Sequence, residues 1–258
     1  MSKQLKGKKG LIIGIANEQS IAWGCAKAFH NAGAELAITY LNEKAEPYVR
    51  PLAEKVDATV FLPLDVQNDD QLDDTFHAIK EQWGSLDFIL HSIAYAPIAD
   101  LHGRVTDCAK DGFLKAMEIS CYSFIKLAHL AEPLLKKGNP GGSMLTITYY
   151  GSEKIVPKYG IMGPVKAALE SSVRYLANEL GESGMRVNAI SPGPLMTRAA
   201  SGIQDFEELL IEAKKKSPQH SIVTIDDVGA LAKFLVSDEA KHITGNISYV
   251  DAGFHAVL

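Results

Sequence analysis

Most of the features that would tie this chain to a membrane, a metal, a disulfide framework or a nucleic acid are scarce or missing. Cysteine occurs three times in 258 residues, at Cys25, Cys108 and Cys121. An odd count without close pairs argues against both a disulfide scaffold and a zinc knuckle, and predicts a reducing compartment. The eight histidines show no His-Glu-x-x-His or comparable spacing, so no metal is expected. No apolar run approaches the roughly 18 residues of a membrane span. The lysines at positions 3, 6, 8 and 9 lead straight into the apolar run Leu11–Ile15, without a signal-type hydrophobic region. A cytoplasmic protein is the expectation. Charge of one sign is also lacking: 26 basic and 31 acidic side chains leave a net charge of −5, with no field to hold a polyanion. The lysines ahead of the first strand read as a solvated terminus.

What the sequence does have is alternation. At 47% hydrophobic residues it can bury a sizeable core. Short apolar runs at Gly10–Ile15, Ala34–Tyr40, Ala58–Leu64, Leu86–Ile93, Ser143–Thr148, Arg186–Ile190 and Ile247–Val250 predict seven buried strands. Between them, apolar residues three and four apart predict helices over Ile21–Asn31, Glu43–Lys55, Gln71–Gln82, Phe113–Lys136, Val165–Leu180 and Ile225–Val236. Pro164 suits a first helical turn, and Gly184 follows that helix's end. The pattern is that of an α/β Rossmann-type domain, a doubly wound parallel sheet with helices on both faces. Nothing resembling a linker divides it, so residues 1–258 are expected to form a single dinucleotide-binding and catalytic domain. The one long irregular connection, 191–221, is expected to carry a short helix near Phe206–Lys215 and to cover the substrate.

Chemistry concentrates where the predicted strands end. After the first strand, Gly14 through Gly24 reads as a phosphate-binding turn, since glycine admits a pyrophosphate and the next helix offers free amides. It departs from G-x-G-x-x-G, because Asn17, Glu18, Gln19 and Ser20 fill the middle. The second strand ends in Tyr40-Leu41-Asn42-Glu43, where such domains choose between a ribose hydroxyl and a ribose phosphate. Without arginine there, and with Glu43 present, NADH is favoured over NADPH, although Lys44 is a nearby cation; Glu43 equally suits the first turn of a helix. Asp65-Val66 follows the third strand and His91-Ser92-Ile93-Ala94 closes the fourth, both at the ligand-binding edge, where Asp65 also reads as an ordinary turn residue. In the most specific segment, Tyr149-Tyr150 closes a strand while Tyr159 and Lys166 flank the opening of a helix. A lysine near a phenol stabilises a charged oxygen and donates to ribose hydroxyls. Each tyrosine taken singly suits ordinary packing as well.

On these residues the sequence resembles the short-chain dehydrogenase/reductase superfamily and, within it, the bacterial enoyl-acyl-carrier-protein reductases. Six residues intervene between Tyr159 and Lys166, where ordinary short-chain dehydrogenases have three, and a tyrosine, Tyr149, stands where they have the active-site serine. Ser20-Ile21-Ala22, Ser92 through Pro97 and Asn188 through Pro194 match as well. The resemblance implies that Gly14, Ser20, Ile21, Asp65, Val66, Ile93, Lys166, Leu195, Met196, Thr197, Arg198 and Ala199 hold the dinucleotide. It places Ala96 at the acyl site and implies an apolar wall of Met196, Ile203 and Phe206, residues that suit core packing equally. Tyr159 would steady the thioester oxygen, Lys166 the nicotinamide ribose, and Tyr149 is a secondary catalytic candidate. The implied activity is NADH-dependent reduction of trans-2-enoyl thioesters in type II fatty acid synthesis. Acyl carrier protein is the implied partner, and a homotetramer the implied assembly. An ordinary ketone or alcohol oxidoreductase and a non-catalytic NAD(H) sensor are the rival readings.

Overall fold

The short runs of β-branched and apolar residues all pair in parallel, because a crossover helix separates every two runs in sequence. In the computed structural model, residues 4–137, 141–197 and 206–257 are described. The strands are β1 (Lys9–Ile13), β2 (Glu35–Tyr40), β3 (Val60–Pro63), β4 (Phe88–His91), β5 (Ser143–Ile147), β6 (Arg186–Pro192) and β7 (Ile247–Val250). They form one parallel sheet in the order β3-β2-β1-β4-β5-β6-β7. The chain winds outward from β1 to β3 and then returns to lay β4 on the other side of β1. That reversal opens a crevice between the carboxyl ends of β1 and β4, the ligand-binding place of open α/β sheets.

Alternation along each strand sends side chains to two cores. Leu11 and Ile13 of β1, Ile89 of β4, Met144 of β5 and Val187 of β6 pack against α3 (Asp69–Trp83), α6 (Ser123–Leu135) and α7 (Met162–Gly181). Ile12, Leu36, Ile38, Phe88, Leu90, Leu145 and Ile190 pack on the opposite face against α1 (Ile21–Asn31), α2 (Glu46–Lys55) and α9 (Ile225–Val236). Each fully buried large aliphatic or aromatic side chain is worth about 1.5–3 kcal/mol, so both layers adhere firmly. α1 and α9 cross closely: a Cβ on Gly24 would lie 2.3 Å from the Ile225 carbonyl oxygen, and one on Gly229 2.6 Å from that of Gly24. Gly24 is therefore a helix-crossing residue and not part of the phosphate turn.

Several boundaries move for identifiable reasons. α2 starts at Glu46, three residues later than the spacing predicts, because Asn42 Oδ1 accepts from the amides of Lys44 and Ala45 and holds a turn. Glu43 thus precedes the helix. α3 starts earlier, at Asp69, because Asn68 caps it by accepting from the Gln71 amide at 3.2 Å. The predicted Phe113–Lys136 helix is α5 (Lys110–Met117), a π-helical turn over Glu118–Tyr122, and α6. α7 begins at Met162, with Pro164 in its first turn, and β6 runs on to Pro192. A short helix, α4 (Ile98–His102), had no counterpart in the sequence pattern, whereas α8 (Phe206–Lys216) falls where the long connection predicted it.

Candidate active site

Gly14 ends β1 with φ +111°, and a Cβ there would lie 2.1 Å from the Ser92 carbonyl oxygen. Only glycine fits, and the close approach leaves the crevice between β1 and β4 open at its floor. Ser20 then organises the turn: its Oγ accepts from the amides of Ala16 at 3.0 Å and Asn17 at 3.1 Å, while Asn17 Oδ1 accepts from the Gln19 amide. Ile21 and Ala22 open α1, so their amides have no carbonyl within the helix to donate to. A glycine cradle beside a helix amino terminus fits the pyrophosphate of a dinucleotide.

At the end of β2, Tyr40 packs on Phe61 of β3 with ring centroids 4.7 Å apart. Arg50 lies over the same Phe61 ring at 4.7 Å, and its Nε donates to Glu46 Oε1 at 3.1 Å. Sequence reasoning passed over this arginine because it lies ten residues past the strand end, one helical turn into α2. It is already engaged by Glu46. Asp65 and Val66 follow β3, two strands out from β1. The Asp65 carboxylate accepts from the Gln67 amide at 3.0 Å and its own amide donates to Gln71 Oε1 at 2.7 Å, so Asp65 does shape a turn.

The tyrosines and the lysine meet where β5 ends. Tyr149 stands edge-on to Tyr150 at 4.6 Å and to Tyr159 at 5.0 Å, and Phe254 backs Tyr150 at 5.4 Å. Gly151 lets the Tyr159 ring approach, since a Cβ there would sit 2.7 Å from it. Gly160 brings the same turn against α4, 2.4 Å from the Asp100 and Leu101 carbonyl oxygens by the same measure. Tyr159 is buried, and burial followed by the Glu170 charge pushes its phenol up. Burial also raises Tyr149, with Tyr150 and Tyr159 adding to it; its hydroxyl makes no hydrogen bond of ordinary geometry although the Tyr150 phenol is adjacent.

Lys166 on α7 is 4% exposed, and its Nζ donates to the Ile147 carbonyl at 2.7 Å. Desolvation lowers its ammonium to about 8, opposed chiefly by Glu170. Glu170 is equally buried and accepts from Thr148 Oγ1 at 2.6 Å. Sequence reasoning passed over Glu170, although its place four residues after Lys166 was the available signal.

At the end of β4, His91 is fully buried between Thr146 and Ser123, each 2.8 Å from a ring nitrogen. Ile93 and Ala96 pack partly buried against the core. The Tyr95 backbone between them is held by Ser120 of the π-helical turn, a contact no sequence signal marked. Beyond β6, Leu195 is buried, Met196 is 47% exposed, and Thr197 follows. Phe206 begins α8 as a buried residue. Met196 and Phe206 differ in exposure; Arg198, Ala199 and Ile203 lie outside the described residues.

Residues 14–255 match the family model described as enoyl-(acyl carrier protein) reductase. The chain is 47% identical over 99% of its length to an enoyl-[acyl-carrier-protein] reductase [NADH] 2 of Rhizobium meliloti (strain 1021), 94% of which is covered. Its backbone is similar, with a TM-score of 0.94 at 48% identity, to the Anaplasma phagocytophilum enoyl-(acyl-carrier-protein) reductase crystallised with NAD, covering 100% of this chain and 97% of that one. A Bacillus cereus enoyl-acyl carrier protein reductase with NADP+ and indole naphthyridinone is also similar, with a TM-score of 0.95 at 43% identity, covering 99% of each chain.

Proposed function

Because the chain belongs to the enoyl-(acyl carrier protein) reductase family, we propose that the edge where β1, β4, β5 and β6 end is its catalytic centre. The reaction is the NADH-dependent reduction of the trans-2 double bond of an enoyl thioester carried on acyl carrier protein, a step of fatty acid synthesis. NADH, when bound, supplies the hydride equivalent that saturates the β-carbon. Gly14, Ser20, Ile21, Asp65, Val66, Ile93 and the stretch from Leu195 hold it, supported by the glycine cradle and the ordered turn after β1.

Hydride addition at the β-carbon would leave negative charge on the thioester oxygen until the α-carbon takes up a proton, and the chain must meet that charge where it forms. Tyr159 donates a hydrogen bond to this oxygen. Tyr149 stands next to it, and Lys166 holds the nicotinamide ribose while its charge biases the local potential. The observation that carries this reading is the Tyr149–Tyr159 pair, ring centroids 5.0 Å apart, at the same strand end that anchors the buried Lys166. Ala96 and Phe206 contribute to the acyl site.

The chain works as one unit, with residues 191–221 as its substrate-binding loop. The homotetramer is supported by exposed apolar residues on two helices, Tyr122 and Ile125 on the α5–α6 side and Tyr175 on α7. A light-scattering mass near that of a single chain would count against it. A cytoplasmic location agrees with three free cysteines and with no described helix being long and apolar enough to cross a membrane.

NADH oxidation followed by absorbance tests the activity and the site together. Turnover is expected with a trans-2-enoyl thioester and not with a 3-ketoacyl thioester, and Tyr159→Phe should lose about 10²–10⁴-fold in kcat with NADH affinity near that of the parent. Turnover of the ketoacyl substrate alone would assign the chain to ordinary short-chain chemistry. An undiminished Y159F would remove Tyr159 from the reaction.

A further inference from the structure

Two side chains that carry charge are buried side by side beneath this edge, and the reaction as described uses only one. Lys166 and Glu170 occupy one face of α7, a helical turn apart, each 4% exposed. They are anchored to consecutive residues of the same strand end: Lys166 Nζ donates to the Ile147 carbonyl at 2.7 Å, and Glu170 Oε1 accepts from the Thr148 hydroxyl at 2.6 Å. Each side chain is thereby fixed and not merely enclosed. Burying a carboxylate is unfavourable unless its charge is compensated nearby, and Lys166, one helical turn earlier on α7, is the cation whose field reaches it, without a direct ion pair between the two.

The other groups facing the pair do not supply that anion. The Cys121 thiol approaches Lys166 from the π-helical turn, but burial pushes it up, toward the neutral thiol. His91 faces Lys166 from β4, and burial holds its imidazole neutral. Tyr159 and Tyr249 face Glu170, and both phenols are raised, mainly by burial. Glu170 is the carboxyl group that remains beside Lys166.

We propose that Glu170 is a positioning residue that keeps Lys166 charged and aimed at the cofactor ribose, acting through its carboxylate without touching substrate or cofactor. The inference rests on the reading of Lys166 given above. Its physical basis is a balance: desolvation drives the Lys166 ammonium down to about 8, and Glu170 is the largest influence opposing it. Without the carboxylate, Lys166 would lose its proton within the working pH range.

The test is the pH profile of kcat/KM with NADH varied, for the parent enzyme, Glu170→Gln and Glu170→Asp. Glutamine keeps the shape and can still accept from Thr148; aspartate keeps the charge and loses a methylene. In E170Q the alkaline limb should move down by about one pH unit or more, for a loss of about tenfold at the parent's limb, while E170D keeps the parent's limb. A folded E170Q with an unmoved limb overturns the proposal, as does an E170D limb shifted as far as that of E170Q. If E170Q fails to fold, Glu170→Met, uncharged and of similar length, takes its place, and an unmoved limb there overturns the proposal. Lys166→Ala separates the two ideas: parent-like NADH binding in K166A defeats the reading of Lys166, whereas weakened binding in K166A beside an unmoved E170Q limb defeats only the role of Glu170.

Discussion

The hydroxyl of Ser120 serves both backbone groups of Tyr95, accepting from its amide at 2.9 Å and donating to its carbonyl at 3.0 Å. Ser120 is fully buried in the π-helical turn, and the segment it grips carries Ile93 and Ala96. Pi turns inside helices are frequently found at functional sites. Here the widened turn reaches across to the strand end that lines the crevice.

Ser120→Ala removes two part-buried hydrogen bonds from the Tyr95 backbone, at a cost of about 0.5–1.5 kcal/mol for each. The enoyl thioester KM should rise several-fold while NADH affinity changes little, because the phosphate turn is built on β1. Steady-state kinetics beside a thermal melt read both effects, and a variant with parental KM and melting temperature would show the clamp to be idle.

Gly14→Ala combines a left-handed backbone at φ +111° with a Cβ 2.1 Å from the Ser92 carbonyl oxygen. Strain of this kind costs on the order of 1–3 kcal/mol, and relief requires the two strand ends to part, which deforms the cofactor cradle. Loss of NADH binding in a fluorescence titration is expected, together with a lower melting temperature. Gly84 is the control. Its φ is +71° with open space where a Cβ would go, so Gly84→Ala should melt lower without any change in NADH binding.

His91 makes stability depend on acid. Burial, with the Lys166 charge second, lowers its imidazole from the ordinary 6.5 to about 3, so between these values the unfolded chain binds a proton that the folded chain refuses. This contribution to stability is fully present above pH 6.5 and is lost as pH falls from there toward 3. The melting temperature should decline over that window more steeply in the parent than in His91→Asn, whose side chain does not titrate. Equal slopes would show that His91 accepts its proton in place.

The sheet was legible because its signal is periodic. β7 has the predicted bounds, and the other strands differ from prediction only at their ends. The π-helical turn was hidden by the same regularity: Phe124, Leu127, Ala128 and Ala131 continue the apolar spacing of one helix, and the pattern holds no mark of the extra residue. The start of α2 was lost to a side chain, Asn42, that competes with the helix for backbone amides. At the site, the residues preceding or following strand ends could be named in advance because topology alone brings them to one edge. Phe254 behind Tyr150, Arg50 over Phe61 and Ser120 on Tyr95 reach that edge from elsewhere, through tertiary contacts that no local pattern encodes.

The close crossing of α1 and α9 joins parts of the chain about two hundred residues apart. A ribosome adding ~5–20 residues per second needs roughly 10–40 s to supply the second helix after the first. For that interval the apolar flank of α1 has no permanent cover. Damage to the Gly24–Gly229 crossing would therefore be felt first during biosynthesis, as greater dependence on chaperones and a larger aggregated fraction, in a protein whose finished molecules still turn over substrate normally.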